Sequence, residues 1–177
     1  FHSSPVVSDG FLFIGALREL QTVTKGYLYC LRVTDPIVRP RNYSSSEVPP
    51  ETERLLWRFS AGDSAKPVFS SPAIVGGKLY FGEGYHTDRD SKMFCVDAVT
   101  GKKVWEFVTT SHTESTPTVA DGKIVFGAGD DGVYCLDANT GTKLWQFSVE
   151  GGLHVDSNPL IHDGKVYAGS GTSKRSK

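Results

Sequence analysis

Residues 114–147 read ESTPTVADGKIVFGAGDDGVYCLDANTGTKLWQF, and this stretch decides the fold. TPTVA is a first apolar-alternating run, closed by Asp121-Gly122. KIVFG is a second, closed by GDDG, and VYCLDA a third, closed by Asn139-Thr140-Gly141. KLWQF is the fourth. Alternating β-branched and aromatic residues bounded by Asp-Gly and Thr-Gly dipeptides predict hairpins. Three hairpin turns in one unit make a four-stranded antiparallel meander.

The remainder of the chain repeats this unit, complete, interrupted or cut short. The anchor S-x-P recurs at Pro5, Pro72, Pro117 and Pro159, at spacings of 67, 45 and 42 residues. Each anchor is followed by an apolar run, a D-G or G-G turn and a second run ending in glycine: FLFIG, KLYFG, KIVFG and KVYAG. Trp57, Trp105 and Trp145 mark the fourth strands in LLWRF, KVWEF and KLWQF. The longer spacings are insertions: 16–25 and 34–53 in the first copy and 85–92 in the second. The stretch 34–53 is Pro- and Ser-rich without apolar period and reads as a surface excursion. The last copy supplies two strands and trails off in SGTSKRSK, an expected disordered end. Blade-like repeats are thus expected at about 1–68, 69–113, 114–155 and 156–177. The start at Phe1 without an initiator Met, and the stop within a repeat, read as a piece of a longer protein.

A four-stranded meander recurring at this period is the signature of a β-propeller blade. The expectation is an all-β chain of about three and a half blades. One blade cannot bury both of its faces, so successive blades must stack and seal each other. A tryptophan on the outermost strand is large enough to span the gap to the next blade.

Composition narrows the function classes. A net charge of −1 without a block of either sign leaves no basic footprint for nucleic acid. No apolar run approaches the roughly 18 residues of a membrane-spanning helix. Cys30, Cys95 and Cys135 occupy one slot of the third strand in successive copies. Equivalent slots in packed sheets lie about 10 Å or more apart, beyond the reach of a disulfide, so three buried small hydrophobes are expected.

The segment G-x-Y-C-L-D-A-x-T-G-x-x-L-W resembles the tryptophan-docking repeat of the pyrroloquinoline-quinone (PQQ)-like propeller family. The match is good in the copies ending at Trp105 and Trp145 and degraded in the first, where Arg32-Val33-Thr34-Asp35 replaces D-A-x-T-G. Within the repeat, Asp97 and Asp137 are expected to cap the following turn, and Gly101 and Gly141 to take its positive-φ position. The resemblance implies a ring of typically about eight blades, with the remaining blades as partners. It also implies an extracytoplasmic location in a bacterium, periplasmic or secreted. The family holds quinone- and calcium-dependent dehydrogenases, and also proteins that bind no quinone, including the outer-membrane assembly lipoprotein. No residue here matches a calcium site, a catalytic base or an adjacent-cysteine pair, so no cofactor is evident.

Topology places the candidate site. In an up-and-down meander, the loop leading into strand one and the loop between strands two and three share one end. The lead-in loops carry His112 and Glu114 in one copy, and His154 and Asp156 in the next, at the same blade positions. The second-to-third loops add Glu83, His86, Asp88 and Asp90, then Asp130 and Asp131. Imidazoles and carboxylates therefore meet on one rim. Two readings compete: a metal or polar-ligand site, or a repeat-internal hydrogen-bond device in which H-x-[E/D]-S-x-P caps its own loop. GAGDDG and GEGY each join two strands, so no phosphate-cradling helix terminus is present, and they read as turns.

The favoured function is a non-catalytic propeller segment that engages a protein or polypeptide through this face, its open blade edge also inviting self-association. The alternatives are part of a PQQ- and calcium-dependent dehydrogenase, and a metal-binding propeller using the His and carboxylate rim.

Overall fold

The computed structural model describes residues 3–20, 23–33, 54–151 and 153–171. The insertion 34–53, its Asn42-Tyr43-Ser44 sequon and the tail after 171 lie outside the described residues.

Fourteen strands are described, with no α-helix long enough to name. Strands β1 (Val6–Ser8), β2 (Phe11–Leu20), β3 (Val23–Arg32) and β4 (Leu55–Phe59) form one antiparallel sheet in sequence order. A second holds β5 (Ala73–Val75), β6 (Lys78–Gly82), β7 (Lys92–Asp97) and β8 (Lys103–Val108). A third holds β9 (Thr118–Ala120), β10 (Lys123–Gly127), β11 (Val133–Asp137) and β12 (Lys143–Phe147). β13 (Leu160–His162) and β14 (Lys165–Tyr167) pair alone. First strands touch first strands along the chain, β1 on β5, β5 on β9 and β9 on β13, so they form the inner edge of a stack of blades. The chain is all-β and a partial propeller.

One stretch departs from expectation. Residues 16–20 and 23–25 of the expected turn insertion extend the paired strands: β2 and β3 stay in register from Phe11↔Arg32 to Leu20↔Val23.

Alternation along each strand sends side chains to opposite seams. Leu79, Phe81, Phe94 and Val96 pack with Phe13 and Leu28 of the preceding blade. Their neighbours Tyr80, Met93 and Cys95 pack with Ile124, Phe126 and Leu136 of the following one. A middle blade buries both faces, which is why KLYFG and KIVFG are apolar almost throughout. The cysteines face the tryptophans in identical register, Cys30↔Trp57, Cys95↔Trp105 and Cys135↔Trp145, and each pair is followed by a bulge. All three thiols are free and buried. Burial pushes those of Cys30 and Cys95 up to about 11, so they stay protonated and unreactive at neutral pH.

The D-A-x-T-G turns of the second and third blades each form a shelf for the previous blade's tryptophan. Trp57 Nε1 donates to Ala98 O at 3.2 Å, and Trp105 Nε1 to Ala138 O at 3.0 Å. Asp97 Oδ1 accepts from the Val99 and Thr100 amides, and Asp137 Oδ1 from those of Asn139 and Thr140. The Thr100 hydroxyl, donating to Asp97, and the Thr140 amide, donating to Asp137, are the chief causes that hold the two carboxyls below the usual range. Gly101 and Gly141 take positive φ, 68° and 74°, and lie flat under the indoles, where a Cβ would come within 2.6 and 2.7 Å of the ring.

A second device repeats within three of the blades, at the glycine of the second-strand motif. Ser3, Ser115 and Ser157 of the S-x-P anchors donate to the carbonyls of Gly15, Gly127 and Gly169 and accept their amides. Ser70 instead donates across the seam to Ser115 O. The next blade's lead-in presses on the same glycines: a Cβ on Gly82 would fall 2.1 Å from Thr113 O, and one on Gly127 2.4 Å from Val155 O. Gly169 has the same slot, but its Cβ would meet nothing nearer than 3.5 Å. Gly82→Ala is therefore expected to cost about 1–3 kcal/mol, and Gly169→Ala under about 0.5 kcal/mol. Urea unfolding of the two variants checks this, and equal costs would contradict the seam argument.

Candidate functional site

Four loops build one rim: the β6–β7 loop, the lead-in to β9, the β10–β11 turn and the lead-in to β13. The β10–β11 turn is closed by Ala128 N to Gly132 O at 2.8 Å and Asp131 N to Ala128 O at 2.9 Å. It is stitched to the preceding lead-in by Asp131, which accepts from Thr110 N at 2.8 Å and from the Thr110 hydroxyl. Tyr134 OH also donates to Asp131, at 3.0 Å. Asp131 thus sits in the framework. Asp88 is similarly occupied, its carboxylate accepting Tyr85 N at 2.7 Å within its own turn.

Six further candidates come together as three imidazole–carboxylate pairs, each bridging neighbouring blades. His112 Nε2 lies 2.9 Å from Asp156 Oδ1, and His86 Nδ1 lies 2.9 Å from Glu114 Oε1. His154 Nε2 lies 3.1 Å from Asp130 Oδ1. The rings themselves form a row, His86 edge-on to His112 at 5.3 Å and His112 stacked on His154 at 5.8 Å. His112 is fully buried, and Gly129 leaves room for it, since a Cβ there would stand 2.5 Å from His112 Cε1. Its Nδ1 is 3.3 Å from Ser111 Oγ, which also accepts Asp130 N.

Charge in this row is uneven. Burial alone lowers the pKa of His112, but the Asp156 hydrogen bond and charge, aided by Glu114 and Asp130, outweigh it and raise the value. The same bond holds Asp156 below the usual carboxylate range. Glu114 is pushed up, mainly by burial and against the pull of His86 and His112. Its Oε1 is buried and, although close to His86 Nδ1, makes no aligned hydrogen bond.

The rim opens on a cleft of about 700 Å³ lined by Tyr85, His86, Ser111, Asp130, His154 and Asp156. A second hollow of about 770 Å³, lined by Lys66, Pro67, Phe69 and Glu114, shares Tyr85 and Asp88 with the first. Tyr85 is half-exposed and stands between Phe69 at 5.4 Å and His86 at 5.1 Å.

Glu83 is absent from the rim. It is 2% exposed, beneath the loops, where its Oε2 accepts Lys66 N at 3.1 Å. Burial pushes its carboxyl up to about 7, against the Lys66 hydrogen bond and the charges of Lys92 and Lys66. The signal was available in the repeat: the slot after the strand-two glycine holds Ala16 and Ala128 in the neighbouring copies, both buried. A carboxylate in an alanine slot is an interior one. Tyr85 gave no such signal, because it stands in an insertion without counterpart.

The family profile described as outer membrane protein assembly factor BamB matches residues 46–175. The chain belongs to that family. No curated protein matches it in sequence. Among solved structures, BamB from Moraxella catarrhalis superposes with a TM-score of 0.66 at 19% identity, over 96% of this chain and 43% of that one. Quinohemoprotein alcohol dehydrogenase from Comamonas testosteroni superposes with 0.58 at 21% identity, over 83% of this chain and 21% of that one. The computationally designed Ika4 protein gives 0.62 at 14% identity, over 96% and 87%. The chain therefore spans under half of the BamB structure and about a fifth of the dehydrogenase. At these identities the likeness concerns the fold, and the PQQ-like propeller serves assembly factor and dehydrogenase alike.

Calcium, the ion of the quinone enzymes, takes six to eight oxygen ligands. The rim offers imidazole nitrogens in equal number with carboxylates already committed to them, so among the described residues the donor set does not fit a calcium–quinone centre.

Proposed function

We propose that this chain is the polypeptide-binding part of a non-catalytic propeller that works outside the cytoplasm, its partner seated along the rim formed by the β6–β7 loop and the lead-ins to β9 and β13. The observation that carries this reading is the pair of adjoining hollows with Tyr85 between them. A half-exposed tyrosine held between Phe69 and His86 is a preorganised anchor, and such aromatics dominate polypeptide interfaces. The surrounding carboxylates and imidazoles supply a polar border of the kind that fixes orientation. Membership of the assembly-factor family supports a protein partner.

The test is hydrogen exchange of the parent protein with and without an unfolded outer-membrane β-barrel chain. Protection confined to residues 83–91, 109–115 and 153–159, with at least tenfold weaker binding by Tyr85→Ala, is the expected result. Protection elsewhere with Tyr85→Ala binding unchanged, or alcohol oxidation by the parent supplied with PQQ and calcium, would overturn it.

A further inference from the structure

We infer that the rim binds one divalent transition-metal ion of the zinc class between His86, His112 and Asp156. One ligand atom from each of these residues lies within 4.8 Å of the other two, an arrangement that a small rotamer change closes around an ion. Two imidazoles and a carboxylate are a usual donor set for such metals, and three protein donors leave a coordination position open. The site borders the cleft, which His86 and Asp156 also line.

The repeat does not explain this convergence. A hydrogen-bond device internal to H-x-[E/D]-S-x-P accounts for the His112–Asp156 pair, because both residues occupy repeat positions in adjacent blades. It does not account for His86, which comes from the insertion 85–92 and has no equivalent in the third copy. Its arrival beside the pair, edge-on to His112, is an addition to the blade.

The outer groups are those a metal site needs. A ligating histidine ordinarily presents its second nitrogen to a carboxylate or another acceptor, which fixes the tautomer. Glu114 lies 2.9 Å from His86 Nδ1, leaving Nε2 for the ion. Ser111 Oγ lies 3.3 Å from His112 Nδ1, leaving that ring's Nε2, the atom already turned to Asp156. His154 stacks behind His112 but is held by Asp130 and stands outside the donor group.

Calorimetric titration of the parent protein with zinc chloride, and separately with calcium chloride, tests this. One equivalent of zinc is expected to bind, with no saturable calcium uptake. His86→Ala and Asp156→Ala are each expected to weaken zinc at least tenfold, and Glu114→Gln about tenfold through His86. His162→Ala is the control, since His162 is exposed and pairs with the exposed Asp163, away from the donor group. Because His112 is buried and its loss can unfold the loop, the exposed His86 carries the test, with metal-free melting confirming that the variant folds. Cobalt in place of zinc reads the geometry through its visible absorption, which His86→Ala should alter. Absence of stoichiometric zinc uptake, or uptake lost in His162→Ala but kept in His86→Ala, would overturn the assignment.

Discussion

Trp105→Ala is expected to lower the unfolding free energy by about 3–5 kcal/mol, whereas Trp145→Ala should cost under about 1 kcal/mol. The two residues hold the same blade position and face the same cysteine slot. Trp105 is 8% exposed, lies tilted against Tyr80 at 5.9 Å and donates to Ala138 O above a shelf whose floor is Gly141. Removing it empties a seam between two blades, leaves Tyr80 OH as the remaining side-chain donor to the Ala138 carbonyl and strips the contact that the glycine exists to permit. Trp145 is 39% exposed, because no D-A-x-T-G shelf follows β14 among the described residues. Urea unfolding of both variants isolates the shelf from the side chain itself. Similar losses at the two positions would mean that the indole matters within its own sheet, and the docking argument would fall.

That contrast also indicates how much of the fold was legible. Period-two alternation and Asp-Gly turns are local signals, so the strands, their order and their pairing could be read from KIVFG or VYCLD without knowing what lies alongside. The tryptophan shelf was legible because its parts recur at fixed offsets. The long β2–β3 hairpin was not, since residues 16–25 alternate weakly and appear once, so an insertion reads like a loop. The same limit applied to the rim. His112 with Asp156 was visible as a repeat position, but the sequence offered His154 as the obvious second imidazole. Only the path of the insertion 85–92 brings His86 to the pair instead. Asp88 and Asp131, acidic and turn-placed like Asp130, are consumed by backbone amides and hydroxyls. Composition does not distinguish a carboxylate that caps from one that is free.

The framework and the site are joined through the strand-two endings. Gly82 lets the lead-in to β9 press close, and that lead-in carries Ser111, His112 and Glu114. The lead-ins of the rim are therefore positioned by contacts between blades, while the β6–β7 and β10–β11 turns are also closed by hydrogen bonds of their own. A perturbation of the seam should reach the imidazole row before it reaches the outer strands.

Glu83 is where that connection becomes sensitive to pH. Its folded-state pKa, about 7, lies above the 4.5 of an unperturbed glutamate, and burial is the principal cause. At low pH both folded and unfolded states carry the neutral acid. As pH rises through 4.5 the unfolded chain ionises first, so stability falls, and the fall levels off once the folded carboxyl ionises near 7. The total is roughly 3 kcal/mol at about 1.4 kcal/mol per unit. Glu83→Gln keeps an oxygen for the Lys66 amide while removing the charge. It is expected to match the native chain near pH 4 and to exceed its stability by up to roughly 3 kcal/mol near pH 8. The capping carboxylates Asp97 and Asp137 act in the opposite sense, because their pKa values are lowered and their contribution is lost on acidification. The informative quantity is therefore the difference between the two proteins across pH, measured by urea unfolding. A difference that does not vary between pH 4 and 8 would show that Glu83 ionises normally. The main-chain oxygen of Glu83 accepts both Thr113 N and Thr113 Oγ1. The charge that appears above pH 7 thus lies under the loop carrying His112, and protection of residues 109–115 relative to intrinsic exchange should fall in the native chain but not in Glu83→Gln.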